Sequence, residues 1–461
     1  MGNLKALILA AGEGTRMKSD KAKVLHEAAG RTLLGHVIRN AEDAGADAVA
    51  VVVGHQGEKV EASLPEDVSV FYQKEQLGTG HAVMQAAEFF KDPDDDILVL
   101  CGDAPLTRPE TIAAFEEAHR KSGSDVTVMS AVFDDPSGYG RIIRSGGEFL
   151  KIVEHKDASP EERKVREINS GIYLFKAKAL QDALSKITTE NAQNEYYLTD
   201  AVEIIRDSGG KADAWSTDDP EDIAAVNSKV QLAQAAAILR RRINTKLMES
   251  GVIMIDPNTV YIDADVQIGR DTVVWPGAIL EGGTVVGEDC VIGQNCHLVN
   301  AVIADGVDIQ SSTILDSSVG SGTHVGPYAY IRPGSTIGRN AKVGDFVEVK
   351  NSVVKDGAKA SHLTYIGDAE VGRNVNLGCG TVFVNYDGRD KFKTVVGDDC
   401  FIGCNSNLVA PVQVGDGAYV AAGSTITKDV PGDALAIARA RQTNKEEYAK
   451  KLPAAQKKAG R

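Results

Sequence analysis

Two hydrophobic rhythms divide the chain. Up to about residue 226, short apolar runs alternate with amphipathic stretches. Ala6–Ala11 reads as a buried strand, and so do Ala48–Gly54, Val68–Phe71 and Asp96–Asp103. Helical spacing lies between them, over Leu33–Ala44, His81–Phe90 and Pro109–Lys121. This alternation predicts an α/β, Rossmann-like domain with a mostly parallel sheet covered on both faces. Ligands of such sheets bind beyond the carboxyl ends of the strands.

From about residue 252 the rhythm becomes six residues long. An aliphatic residue followed by glycine recurs at Ile268-Gly269, Val286-Gly287, Ile292-Gly293, Val325-Gly326, Ile337-Gly338, Val343-Gly344 and onward to Val414-Gly415. A hexad period predicts a parallel β-helix, with one short strand and one turn per hexad and three hexads per coil. The period slips between Gly344 and Gly367, and again between Gly378 and Gly397. Both slips read as insertions on one face. Between the two rhythms, Asn227–Ser250 carries Leu232, Ala235, Ala236, Leu239, Ile243 and Leu247 at helical spacing. Gly251 and Asp256-Pro257 end that helix. The expected organisation is a domain over 1–226, a linker helix over 227–251 acting as a rigid spacer, and a β-helix domain with its tail over 252–461. Arg240-Arg241-Arg242 reads as a solvated face near the helix end.

Composition adds exclusions. A formal net charge of −15 argues against a general nucleic-acid binder, which would show a basic face. No apolar run approaches the roughly 20 residues of a membrane span, and no signal peptide is visible before the first strand. The six cysteines follow no disulfide or zinc spacing, so they read as reduced thiols of a cytosolic protein. The 46 glycines and the 5% aromatic content fit a narrow prism with glycine at its corners.

Candidate chemistry sits where the rhythms break. Gly12 and Gly14 follow the first strand in a turn whose N–H groups can cradle an anion, with Arg16 and Lys23 nearby. This is a place for a polyphosphate. Asp103 ends another strand. It suits a Mg²⁺ ligand, since that ion takes one or two carboxylates beside phosphate oxygens; it equally suits the cap of a turn or helix. In the second half, polar residues gather near the slips. They are Lys350, His362, Tyr365, Asn376 and the loop Val384–Arg389. His362 is the sharpest candidate, and a hydrogen-bonded structural histidine is the alternative.

Taken together, Leu9-Ala10-Ala11-Gly12-x-Gly14-Thr15-Arg16, Lys23-Val24-Leu25, Gln76–Ala82, Gly102-Asp103, Gly138–Ile142, Ile152–Asp157, Ile168–Tyr173 and Asn194–Asp200 resemble the sugar-nucleotide pyrophosphorylases. Within them they resemble most the uridylyltransferases acting on N-acetylglucosamine 1-phosphate. The resemblance implies that Leu9, Ala10, Ala11, Gly12, Gln73, Gly78 and Thr79 hold the uridine nucleotide of UTP. It implies that Lys23 neutralises phosphate charge, that Asp103 and Asn227 bind Mg²⁺, and that Gly140, Glu154 and Asn169 hold sugar and ribose. Asn227 also belongs to the implied UDP-sugar set. Relatives often carry a larger, aromatic residue where Cys101 stands.

The hexads resemble the left-handed parallel β-helix of acyl-CoA-dependent acyltransferases, which form trimers with sites between subunits. Ser361–Asp368 is similar to the motif of glucosamine-1-phosphate N-acetyltransferases. The resemblance implies that His362 is the general base and that Arg332, Lys350, Tyr365 and Asn376 hold glucosamine 1-phosphate. It implies that Cys379, Asn385, Tyr386, Cys404, Ala422 and Arg439 contact acetyl-CoA. Relatives usually have alanine and serine where Cys379 and Cys404 stand. The joint expectation is a cytoplasmic, homotrimeric, bifunctional enzyme of UDP-N-acetylglucosamine synthesis, supplying peptidoglycan and lipopolysaccharide precursors. Its expected partners are small molecules, with neither nucleic acid nor membrane. Two alternatives stay open: a single-activity nucleotidylyltransferase with a regulatory β-helix, and a non-catalytic scaffold. The tail after Arg439, rich in Lys, Arg and Gln, is expected to be partly disordered, with Lys457-Lys458 either solvated or on a phosphate.

Overall fold

The apolar runs of the first half pair side by side, because each exposes a full row of backbone donors and acceptors that only another strand satisfies. The computed structural model describes Gly2–Gln456, so Lys457 and Lys458 lie outside the described residues. The main strands are β1 (Leu4–Ala10), β2 (Ala48–Val53), β3 (Ser69–Tyr72), β4 (Asp96–Cys101), β5 (Val126–Val132), β6 (Glu167–Lys176) and β7 (Ala212–Ser216). They lie in the order β7-β5-β6-β4-β1-β2-β3. Pairing is parallel between β1 and β2, β1 and β4, β2 and β3, and β5 and β7. Strand β6 runs antiparallel to both its neighbours. It is entered from the hairpin Arg141–Ser145/Glu148–Val153 rather than from a crossover helix. A hairpin reverses chain direction, and a parallel return needs a crossover. Helices Leu33–Asp43 and Pro109–Ser122 form as their spacing predicts. The expected helix over His81–Phe90 is instead Thr79–Gln85 followed by a separate 3-10 turn, Ala87–Phe90; Ala86 between them leaves helical geometry (φ −99°, ψ 19°).

The second half is a parallel β-helix. Three sheets of eleven, ten and nine strands pair in parallel from coil to coil. One interior column runs Val274, Ile292, Ile309, Val325, Val343, Ala360, Leu377, Ile402, Val420, all buried. The slip between Gly344 and Gly367 is not an insertion. Val343 pairs with Ala360 one coil later, and Ser361 takes the corner that Gly344 holds below it. The glycines there are replaced while the coil length is kept. The slip before Gly397 is a true insertion: the chain leaves the prism after β-strand Val382–Val384 and returns at Thr394–Val396.

Contacts divide the chain into Met1–Arg242 and Ile243–Arg461, a boundary inside the helix Lys229–Glu249. In the first unit, Ala235 and Leu239 of that helix pack with Met17, Leu33, Leu106 and Val226. In the second, Ile243 and Leu247 pack against the prism core. The arginine run is only partly a solvated face: Arg241 is exposed, whereas Arg242 is anchored. Arg242 donates to Asp222 at 2.9 Å and to the Leu106 carbonyl at 2.6 Å, and Arg241 pairs with Glu221. Asp222 is fully buried and also accepts two bonds from Arg108, at 2.8 and 2.9 Å. An amphipathic count sees only that arginine is polar, whereas a buried carboxylate makes it an anchor. All six cysteines are free thiols. Among the described residues, no helix is long and apolar enough to cross a membrane.

Asp222→Asn keeps the shape but removes the charge shared by two guanidinium groups. Breaking a buried pair costs about 3 kcal/mol. The urea midpoint of the first unit, followed by Trp215 fluorescence in a Trp275→Phe background, is expected to fall accordingly. An unchanged midpoint would show that the arginines gain nothing from this carboxylate.

Candidate functional sites

In the first unit the carboxyl ends of β1, β3 and β4 open into one cleft of about 280 Å³. It is lined by Leu9, Ala10, Ala11, Gly12, Lys23, Gln73, Gly78, Thr79 and Asp103, so the residues that the sequence assigns to one nucleotide share one space. Gly12 faces open space, so the backbone there is bare to whatever fills the cleft. Gly14 has φ +66°, and a Cβ on it would lie 2.5 Å from that of Lys23. The lysine stem thus packs against the turn, which aims its ammonium across the strand ends. That ammonium pairs with Asp103 and donates to the Asn227 side-chain oxygen at 3.2 Å. Arg16 donates to the same oxygen at 2.9 Å. Gly78 (φ +108°) leaves no room for a side chain against the Tyr196 carbonyl, and buried Gln73 braces this turn through the Gly78 carbonyl at 3.0 Å. The Thr79 hydroxyl accepts from the Leu198 N–H at 3.1 Å, at the start of the distant helix Leu198–Asp207.

Asp103 and Asn227 both contact one lysine nitrogen, so a single small cation can sit against both oxygens. The donor set fits Mg²⁺, whose other positions would be filled by water and phosphate. Among the described residues no group of three His, Cys, Asp or Glu side chains could hold a metal by itself.

Deeper in the same unit, Gly140, Glu154 and Asn169 meet. A Cβ on Gly140 would touch both of the others within 3.5 Å. Asn169 donates to the Tyr173 hydroxyl at 2.8 Å. Burial raises the Glu154 carboxyl above the usual range, with Asp157 and Asp200 adding to the shift against a hydrogen bond from Thr199. Burial, then Glu203 and Asp157, pushes Asp200 up to about 6. Cys101 adjoins this pocket, its thiol 3.5 Å from the Gly171 carbonyl and pushed up to about 12, first by burial and then by Asp103.

The second unit carries a different set. His362 Nδ1 lies 2.5 Å from Asp345, its register partner one coil below. The imidazole holds that carboxyl below its usual range. A carboxylate can only accept, so Nδ1 carries a proton, and in the neutral ring Nε2 is then the nitrogen with the free lone pair. Asp345 escapes sequence reasoning; its signal is its place 17 residues before His362, one coil away. The corner of His362 continues as a column. Leu363, Gly380, Asn405 and Gly423 all have left-handed φ, 44°, 74°, 53° and 75°, and mark the same turn on successive coils. The residues before them are His362, Cys379, Cys404 and Ala422, and Arg439 donates to the Ala422 carbonyl at 2.9 Å. Four residues expected to meet acetyl-CoA therefore stack above the candidate base.

Across the adjoining sheet stand Lys350, Tyr365 and Asn385. Asn385 donates to Asp368 at 2.5 Å and approaches the Tyr365 hydroxyl at 3.4 Å. Burial pushes the Asp368 carboxyl up, but bonds from Asn351 and Asn385 and the charge of Lys350 outweigh it and hold it low. Lys391 is a further member that the sequence does not single out. The neighbouring Lys350 ammonium holds it below the usual lysine range, and two facing ammonium groups ask for an anion. Its signal is a cation closing the one inserted loop. Arg332 pairs with Glu348 at 2.8 Å on this sheet. Asn376 stands on the first sheet instead, in register with Lys359 and Phe401. Tyr386 is exposed on the inserted loop, its hydroxyl donating to the Gly388 carbonyl.

Comparison with known proteins finds relatives of both halves. The family of MobA-like NTP transferase domains matches residues 6–192. The bacterial transferase hexapeptide, six repeats, matches 265–300, 316–351 and 393–428. The bifunctional protein GlmU of Acetivibrio thermocellus is 55% identical over 96% of this chain and 97% of its own. That of Clostridioides difficile is 52% identical over 97% and 98%, and that of Brevibacillus brevis 52% over 99% and 100%.

The raised Asp200 carboxyl has a signed consequence. The folded state binds its proton more tightly than the unfolded chain, so this group's contribution to stability falls as pH rises from 3.8 through about 6. Asp200→Asn is expected to match the parent near pH 3.8 and to gain relative stability up to pH 6, then level off. Urea unfolding of both proteins across that range checks it, and a constant difference would contradict it.

Proposed function

The chain belongs to the family of bifunctional GlmU proteins, and from that premise we propose how its two units act. The second unit transfers the acetyl group of acetyl-CoA to the amine of glucosamine 1-phosphate. The first then transfers uridylyl from UTP to N-acetylglucosamine 1-phosphate and releases pyrophosphate, giving UDP-N-acetylglucosamine. The observation that carries this reading is one chain holding both a bare phosphate turn with Lys23 against Asp103 and Asn227, and a His362–Asp345 dyad beside paired lysines. A scaffold or a single-activity enzyme has no need for both.

In uridylyl transfer a sugar-phosphate oxygen attacks the α-phosphorus, and the bond to pyrophosphate breaks. Catalysis is positioning and charge neutralisation. The turn at Gly12 offers N–H groups to the phosphates, and Lys23 and Arg16 carry the positive charge. Asp103 and Asn227 would hold Mg²⁺, which would supply further positive charge against the phosphates. The carboxylates Glu154, Asp157 and Asp200 suit an uncharged sugar rich in hydroxyl donors.

In acetyl transfer only the neutral amine attacks the thioester. His362 Nε2 takes the proton of the attacking amine, and Asp345 holds the ring and favours the imidazolium that forms. Lys350, Lys391 and Arg332 suit the sugar phosphate, with Tyr365 between them and the base. The column Cys379, Cys404, Ala422, Arg439 suits the coenzyme, with Asn385 and Tyr386 at the side.

A homotrimer has its own support. Tyr328 and Phe346 stack at 5.5 Å, each more than half exposed, and Leu363 follows them on the same corner. All three have left-handed φ, an uncommon conformation for bulky residues. An exposed apolar column held at that cost suits burial against a second copy, next to His362.

Two outcomes test these readings. Lys23→Ala is expected to lower uridylyl transfer by at least about a hundredfold and leave acetylation intact, and His362→Ala to do the reverse. Coupled pyrophosphate and thiol-release assays on one preparation measure both; a His362→Ala protein acetylating at the parental rate would remove the base. Phe346→Asp is expected to lower the molar mass in light scattering from trimer toward monomer, while uridylyl transfer persists. A parental mass at low micromolar concentration would contradict it.

A further inference from the structure

The corner column contains two thiols, and their spacing is set by the coil. Asn376 pairs with Phe401 and Leu377 with Ile402, and the Asn405 N–H donates to the Cys379 carbonyl at 2.8 Å. Cys379 and Cys404 therefore hold the same turn position on adjacent coils. Adjacent parallel strands lie about 4.8 Å apart, inside the roughly 4.4–6.8 Å between Cα atoms of disulfide-linked residues. Cys404 is exposed and Cys379 partly so.

The other four cysteines differ. Cys290, Cys296 and Cys400 point into the prism core, and burial pushes each thiol up. These core thiols ionise poorly and react slowly, and Cys101 is the one cysteine of the first unit. An oxidant meeting this chain meets Cys404 first, with Cys379 one coil away as its natural resolving partner.

We propose that Cys379 and Cys404 form a modification site, a dithiol that hydrogen peroxide converts to an inter-coil disulfide and that thereby stops acetyl transfer while sparing uridylyl transfer. The loss of acetyl transfer rests on the reading of this column as the acetyl-CoA face. In the first step the Cys404 thiolate attacks the peroxide oxygen, the O–O bond breaks, and a sulfenic acid and one water form. In the second the Cys379 sulfur attacks the Cys404 sulfur and displaces the hydroxyl, which leaves as a second water with the Cys379 proton. Two thiols and one peroxide become one disulfide and two waters. The bridge removes both S–H groups and ties the two turns together on the face read as receiving the coenzyme. The first unit holds only Cys101, which has no second thiol in that unit to bridge to.

The experiment uses the full chain and hydrogen peroxide at about equimolar amounts. The intact mass is expected to fall by about 2 Da, and non-reducing peptide mapping is expected to join the peptides carrying Cys379 and Cys404. Acetyl transfer should fall at least tenfold and return with dithiothreitol, while uridylyl transfer holds. Cys404→Ser, whatever its own starting rate, should keep that rate through the same treatment. A different cysteine pairing, a linked protein that still acetylates at full rate, or a Cys404→Ser protein inactivated as fast as the parent would overturn the proposal. A reduced protein that never transfers acetyl would defeat the functional reading instead, and the mass and peptide readouts would still decide whether the dithiol closes.

Discussion

Parallel strand pairing is the constraint on which both units depend. A parallel ladder cannot be closed by a tight turn, so each strand must hand the chain to a longer connection. In the first unit those connections leave from the same edge, and the ends of β1, β3 and β4 face one another across a cleft. In the second unit the same rule is met differently. The chain turns a corner after each strand, and three strands later it lies on itself. Function then collects at ends in one unit and at corners in the other, because those are the places where backbone and side chains are free of the ladder.

The lysine at the heart of the first site shows how this geometry handles charge. Asp103 at a strand end and Asn227 before the long helix are far apart in sequence, and Lys23 ties them together. Without a substrate, the ammonium keeps the carboxylate from facing the cleft alone. On the function proposed above, the same ammonium would turn toward a bound polyphosphate and leave both oxygens to a divalent cation.

Much of this is legible in the sequence, for a physical reason. Strand ends and hexads are set by local pattern, so β1 to β4, the prism and the residues of the nucleotide cleft can be read from the order of residues alone. What escapes depends on contacts made at long range. Strand β6 is apolar like its neighbours, and nothing in its own residues says that it runs backward. Arg242 reads as solvated until Asp222 is found buried beneath it. Ser361 replaces a corner glycine, so a change of residue type looks like a change of chain length. Asp345 and Lys391 belong to their sites through coil register and through an inserted loop, and a hexad count that slips at both places cannot align them. The hydrophobic rhythm changes after residue 226, whereas contacts divide the chain inside the helix, after Arg242. Each end of that helix buries residues in a different core.

A chain of net charge −15 that handles sugar phosphates, nucleotides and a phosphorylated coenzyme is at odds with its ligands only if charge is averaged. At physiological ionic strength exposed charges are screened beyond about 8 Å. What a phosphate would meet on the function proposed above is therefore the local set: Lys23 and Arg16 at one site, Lys350, Lys391 and Arg332 at the other. The acidic groups nearest to them are already committed to partners. Asp103 is paired with Lys23, Asp368 with Asn351, Asn385 and Lys350, and Glu348 with Arg332. The carboxylates with raised affinity for protons, Glu154 and Asp200, lie in the pocket that suits neutral hydroxyls. The partition of charge within each site matters more than its sum, since it sends the anionic end of each substrate to one place and the uncharged end to another.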